Sequence, residues 1–211
     1  MLARRVFFIP VIFLLVIGCA GVPVRERVKV DFNLPIGKIQ GSQFTGIRYP
    51  FNVSAPPGWE ISMTYPAFMV ELGYEKPGLE ESQAFVYNPK TQSNLQIEFV
   101  PAGQHVVFSQ ASIEGLTSSM AGGLVSDVKD DYGVSVDVSA TEPISLKGVQ
   151  YAAKKYGTYT VKDVKREQGW IYAFTEPYQI FILYMIFEKE GSNDRQDLKT
   201  ILDSFEAVSR K

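Results

Sequence analysis

The apolar positions of the chain change their spacing several times, and each change marks an element. After Arg4 and Arg5 the twelve residues Val6–Ile17 carry no charge, and Gly18 and Cys19 follow. A spanning helix needs roughly 20 apolar residues and Pro10 would interrupt one. The run therefore reads as the apolar core of a signal peptide, set between a basic start and a small-residue cleavage site. From Arg27 the period becomes two. Val28, Val30, Phe32 and Leu34 alternate with Arg27, Lys29, Asp31 and Asn33, which predicts a half-buried lead strand. Pro35, Gly37, Gly41 and Gly46 mark loops, and Pro56, Pro57 and Gly58 turn the chain just before Trp59. Gln83–Tyr87 and Asn94–Phe99 read as the two strands of a hairpin.

A helical period then takes over. Ile113, Leu116, Met120, Leu124, Val128 and Tyr132 recur at three- and four-residue intervals and predict one helix over Gln110–Tyr132, capped by Ser109 and stopped by Gly133. Gly122 and Gly123 weaken it by about 1 kcal/mol each relative to alanine and mark a bend or a close approach to the sheet. Strands are predicted at Val134–Val138, Val149–Thr160, Trp170–Thr175 and Gln179–Glu188. Pro143, Gly148, a Lys162–Gly169 turn and a Glu176-Pro177 corner separate them. Ile180–Phe187 is apolar on both faces, so it predicts a central strand with helical cover on each side. A last helix opens near Ser192 or Asn193, where Asn193 and Gln196 can form a capping box, and buries Leu198, Ile201, Leu202 and Phe205. The order predicts an α+β fold, an α/β/α sandwich with one mainly antiparallel central sheet. No period repeats along the chain, which excludes a solenoid.

Cleavage before Cys19 would divide the chain into a signal peptide over 1–18, a short tether over 19–26 and a single globular domain over 27–211. The processed chain of 193 residues keeps 19 basic and 23 acidic side chains. That balance, with its cations dispersed, excludes nucleic acid as a partner. A chain of this length buries roughly 70% of its unfolded surface, so it needs no disulfide, and one cysteine makes none within the chain.

Candidate chemistry is sparse. The sole histidine, His105, lies in a loop before the long helix, with Ser109 and Ser112 close in sequence, which keeps a hydrolase reading open. Zinc needs three or four Cys and His ligands, and the sequence does not offer them. Asp127, Asp130, Asp131 and Gly133 come nearest to a calcium pattern, yet they read as a solvated helix end. No glycine-rich phosphate loop is present. No catalytic residue, metal or cofactor is therefore expected. Trp170, Tyr172 and Phe174 fall on one side of a strand and form a candidate contact patch if exposed, or core if helices cover them.

Two resemblances add to this. Val16, Ile17 and Gly18 before Cys19 resemble the lipobox of bacterial lipoproteins, which implies lipidation at Cys19 and a membrane anchor through acyl chains that each add about 0.8 kcal/mol per buried methylene. Ala20 after the cysteine implies the periplasmic face of the outer membrane in a cell with two membranes. From about Tyr49 to Val208 the sequence also resembles the PsbP-like superfamily. That likeness is carried by PPGWEI at Pro56–Ile61, the amphipathic central helix, the aromatic strands GWIYAFTEPYQIFILYMIF and the closing ILDSFEAV with Ser204 and Phe205. It implies a non-catalytic binding or assembly-accessory module of the cell envelope with a protein partner. A carrier or sensor of a small apolar ligand is the alternative.

Overall fold

The computed structural model describes residues 24–71 and 82–208. The signal peptide and Cys19 lie outside the described residues. In chain order the elements are β1 (Gly37–Gln40), β2 (Gln43–Gly46), β3 (Phe51–Ser54), β4 (Glu60–Ser62), α1 (Ala67–Glu71), β5 (Ser82–Tyr87) and β6 (Asn94–Pro101). Then come α2 (Gln110–Ser119), α3 (Ala121–Tyr132), β7 (Asp137–Val138), β8 (Glu142–Pro143), β9 (Tyr151–Val161) and β10 (Val164–Thr175). The chain closes with β11 (Tyr178–Glu188), α4 (Asp194–Ser204) and β12 (Glu206–Ala207).

The main sheet has the order β4-β5-β6-β11-β10-β9-β7, with β8 also on β9, and its ladders are all antiparallel. The long apolar strand is central, as its two-sided composition predicts. On one face Ile180, Ile182, Tyr184 and Ile186 of β11 lie beside Leu95, Ile97 and Phe99 of β6. Covering them are α4, through Leu198 and Ile201, and a second sheet of order β1-β2-β3-β12, through Phe44, Phe51 and Val53. The other face carries Trp170 and Phe174 under α2 and α3. The architecture is thus the α+β fold with a mainly antiparallel sheet that the sequence predicts, with one layer reinforced by a small sheet that it does not.

Local differences have physical causes. The residues around Val28–Leu34 form no strand. The buried Arg48 guanidinium donates to the carbonyls of Phe32 and Leu34, the latter at 2.8 Å, so a side chain supplies donors that a strand neighbour would otherwise provide. The helix over Gln110–Tyr132 is two helices meeting at Met120. Ser109 caps the first in a reciprocal box with Ser112, and Gly133 ends the second in the left-handed region at φ 69°. Val134–Val138 pairs only at Asp137 and Val138, while Lys165–Gly169 belongs to β10 and the turn is confined to Lys162 and Asp163. Asn193 makes no side-chain cap. Instead, the buried Asp194 carboxylate accepts from Ser93 Oγ at 2.6 Å and Asn88 Nδ2 at 3.0 Å, fixing the start of α4 to the β5–β6 turn.

Two of the motifs that carry the PsbP-like resemblance, the first and the last, act on α4. Trp59 donates its indole N–H to Asp197 at 2.9 Å, which seats the turn after Pro56–Pro57 against the helix. Ser204 Oγ accepts from Ser54 N at 3.0 Å and donates to Ile201 O at 2.7 Å, tying the end of the helix to β3, while Phe205 enters the core. Among the described residues no helix is long and apolar enough to cross a membrane. Because Ile182 is wholly buried in the core beneath α4 and the small sheet, Ile182→Ala is expected to lower stability by about 2–5 kcal/mol, measured as a shift of the urea midpoint.

Candidate functional site

A cleft of about 890 Å³ opens between α4 and the part of the main sheet formed by β9, β10 and β11. Three strands set its sheet side by register. Tyr156 of β9, Gly169 of β10 and Tyr184 of β11 lie in one row across the sheet, and Thr158, Glu167 and Ile186 lie in the next. Period-two geometry turns this row of side chains towards α4. Gly169 is needed there: a Cβ would fall 2.2 Å from Tyr184 Cζ, so the bare backbone makes room for the phenol ring.

The Tyr184 hydroxyl donates to Glu167 Oε1 at 2.9 Å. Burial raises the Tyr184 phenol well above its ordinary value, and the Glu167 carboxylate adds to the effect. Glu167 itself has a side chain only 3% exposed, and Arg195 Nη1 of α4 stands 2.6 Å from its Oε2. That approach is a charge contact and not an aligned hydrogen bond. The same guanidinium donates from Nη2 to Glu188 Oε1 at 2.5 Å, and Lys165 Nζ lies 3.3 Å from the other oxygen of Glu188. Arg195 therefore bridges an interior carboxylate to one at the cleft mouth. A buried carboxylate is stable only when paired, and the first turn of α4 supplies the pair.

Around this centre the cleft is mixed in character. Ile186, Leu198 and Leu202 give an apolar floor, and Tyr156 adds a ring over which Lys154 Nζ sits at 5.1 Å. Glu142, Lys189, Glu190 and Lys199 complete a rim of both signs. Such a surface offers apolar contact beside charges of either sign.

The residues singled out in the sequence lie elsewhere. Trp170 is 3% exposed, donates its indole N–H to Thr117 O at 2.8 Å and belongs to the core under α2 and α3. Phe174 is equally interior and stacks on Phe108 with centroids 4.2 Å apart. Tyr172 is half-buried beside Phe181, so this strand face offers solvent one ring and not three. His105 is exposed, and the hydroxyls of Ser109 and Ser112 are engaged in the helix cap. Asp127, Asp130 and Asp131 are exposed, and no metal-holding group of three or more His, Cys, Asp and Glu occurs among the described residues. Sequence reasoning missed Glu167 and Arg195. The available signal was phase: Glu167 shares the inward face of β10 with Gly169, Ile171 and Ala173, where a carboxylate requires a cation.

The Glu188 carboxyl sits below its ordinary value. Burial works upward, and the hydrogen bonds and charges of Arg195 and Lys165 outweigh it. A lowered carboxyl stabilises the fold above its unfolded pKa and loses that contribution as pH falls through the folded one. The group is partly exposed, so the effect is below about 1 kcal/mol. Glu188→Gln is expected to lower the thermal midpoint slightly at pH 7, with the difference from wild type closing once pH drops below the carboxylate range near about 4, as calorimetry across that range would record.

No family model matches the sequence, and no curated protein matches it. The fold is similar to the solution structure of cyanobacterial PsbP (CyanoP) from Synechocystis sp. PCC 6803, with a TM-score of 0.53 at 13% identity over 82% of this chain and 99% of that one. A crystal structure of LpqN, involved in cell envelope biogenesis of Mycobacterium tuberculosis, matches at a TM-score of 0.49 and 9% identity over 76% of this chain and 84% of that one, a distance at which the likeness carries no argument. The similarity to CyanoP concerns architecture alone: the domain has a PsbP-like fold.

Proposed function

We propose that this chain is a bacterial cell-envelope lipoprotein, exported and held to its membrane through acylated Cys19, whose PsbP-like domain works as a non-catalytic binding or assembly-accessory module. The reading is supported by the pairing of a lipobox-like sequence at Val16–Cys19 with a fold that carries a cleft of mixed character beside α4. Its interior charges neutralise one another, and its rim presents both signs around an apolar floor. That surface suits a protein segment with alternating charges better than the small apolar ligand of the carrier alternative. With Ala20 following the cysteine, the periplasmic face of the outer membrane is the proposed site in a cell with two membranes.

The test joins the anchor and the cleft. A photo-crosslinking residue at Lys189, on the cleft rim, is introduced into the full chain expressed in bacterial envelopes, with and without Cys19→Ala. The reading predicts an intact mass carrying diacylglycerol and acyl groups on a chain beginning at Cys19, and a discrete protein adduct from the rim that is lost in Cys19→Ala. An unmodified N-terminus in the wild type overturns the lipoprotein reading. A properly acylated protein that forms no adduct at the rim overturns the role of the cleft.

A further inference from the structure

The chain is already fixed to its domain at Arg25. The Arg25 backbone N–H donates to Gln104 O at 3.0 Å. Its guanidinium pairs with Glu176 at 2.7 Å, donates to Val106 O, and lies 4.9 Å and 5.0 Å from the ring centroids of Phe174 and Phe108. The Arg25 side chain is 17% exposed. It is held by charge, backbone carbonyls and two aromatic faces together, an arrangement in which an arginine loses little on ordering.

Cys19 is six residues upstream. A fully extended chain spans at most about 3.6 Å per residue, so the point of attachment at Arg25 stands no more than roughly 22 Å from the cysteine. That is less than the length of β10, whose twelve residues from Val164 to Thr175 span roughly 40 Å at about 3.3 Å per residue. The Thr175–Glu176 end of β10 is therefore held near the anchor, whereas the Lys162–Asp163 turn has the whole strand between it and that end.

Apolar side chains are left in water at the near end, as others are on α2 and α3. Val24 is 64% exposed and Val107 60%, with Val106 and Phe32 each a little under half exposed. Val24 adjoins the docked arginine, Val106 and Val107 follow in the loop that receives it, and Phe32 lines the same hollow as Gly103 and Gln104. Arg27 and Lys29 are exposed between them, with Glu26 and Asp31 exposed alongside. Valines and a phenylalanine among charges of both signs match the boundary between headgroups and acyl chains, where apolar side chains enter and cations meet phosphates.

We propose that this end of the domain, formed by Val24, Phe32, Val106 and Val107, rests on the bilayer into which Cys19 is anchored, so that the domain stands upright and the cleft beside α4 faces away from the membrane. The proposal rests on the reading of Cys19 as acylated. The acyl chains supply the affinity, and the surface contact sets the orientation.

The test uses the acylated full chain in vesicles of phosphatidylethanolamine and phosphatidylglycerol, with one nitroxide attached at Val107→Cys or at Asp163→Cys. Acylated Cys19 does not react with the label. The ratio of oxygen to nickel-chelate accessibility is expected to be several-fold higher at Val107→Cys than at Asp163→Cys, placing the first label within the bilayer and the second in water. Equal, water-like accessibility at both sites in acylated, vesicle-bound protein overturns the orientation and leaves the lipoprotein reading standing. An intact mass with unmodified Cys19 overturns that reading, and the orientation falls with it.

Discussion

Everything in this fold answers to one strand that is apolar on both sides, its first face wholly buried and its second partly covered. Strand β11 carries Ile180, Ile182, Tyr184 and Ile186 on one face and Phe181, Leu183 and Met185 on the other. Burying such side chains is worth about 1.5–3 kcal/mol each, so neither face is left bare. β6 and β10 flank the strand in the sheet. On the first face α4 and the small sheet close over the isoleucines. On the second, α2 and α3 cover the adjoining aromatic residues of β10, with Phe181 and Leu183 packed partly against that cluster.

Covering a long sheet with short elements leaves its two ends different. At one end, where β10 passes into β11, Glu176 meets Arg25 and the chain leading from Cys19 is held against the Gly103–Phe108 loop. Towards the other, α4 begins on Asp194, anchored to the β5–β6 turn, and Arg195 reaches Glu167 and Glu188. The end near the anchor exposes Val24, Phe32, Val106 and Val107 among charges of both signs, and the cleft centres on the bridge from Glu167 through Arg195 to Glu188. In the proposed arrangement the membrane contact and the partner contact would not compete for the same residues.

The sequence made legible those parts whose side chains repeat at the period of one element. The central place of β11, the Leu124 and Val128 stripe, the Ser109 cap and the Gly133 stop all follow from local rules and appear as read, although the second face of β11 is only partly covered. Contacts made between elements were not legible. The alternation from Val28 to Leu34 is a sound strand pattern, but Arg48 takes up two of its carbonyls. The small sheet consists of strands of four residues or fewer, too short to show a period. Trp170, Tyr172 and Phe174 have the phase of a shared face, yet only the placement of α2 and α3 decides that two of the three are interior. Glu167 and Arg195 are joined by the docking of α4, which no local spacing encodes.

The central claim is a domain oriented by its docked tether, with one end against the bilayer and the cleft free. Hydrogen–deuterium exchange of the acylated protein on vesicles, compared with Cys19→Ala in solution, reads the whole surface at once. The account predicts added protection confined to the segments around Val24–Leu34 and Gly103–Phe108, with the Lys162–Asp163 turn and the start of α4 unchanged. Protection centred on α4 and the cleft rim, or none at the Arg25 end, would contradict it.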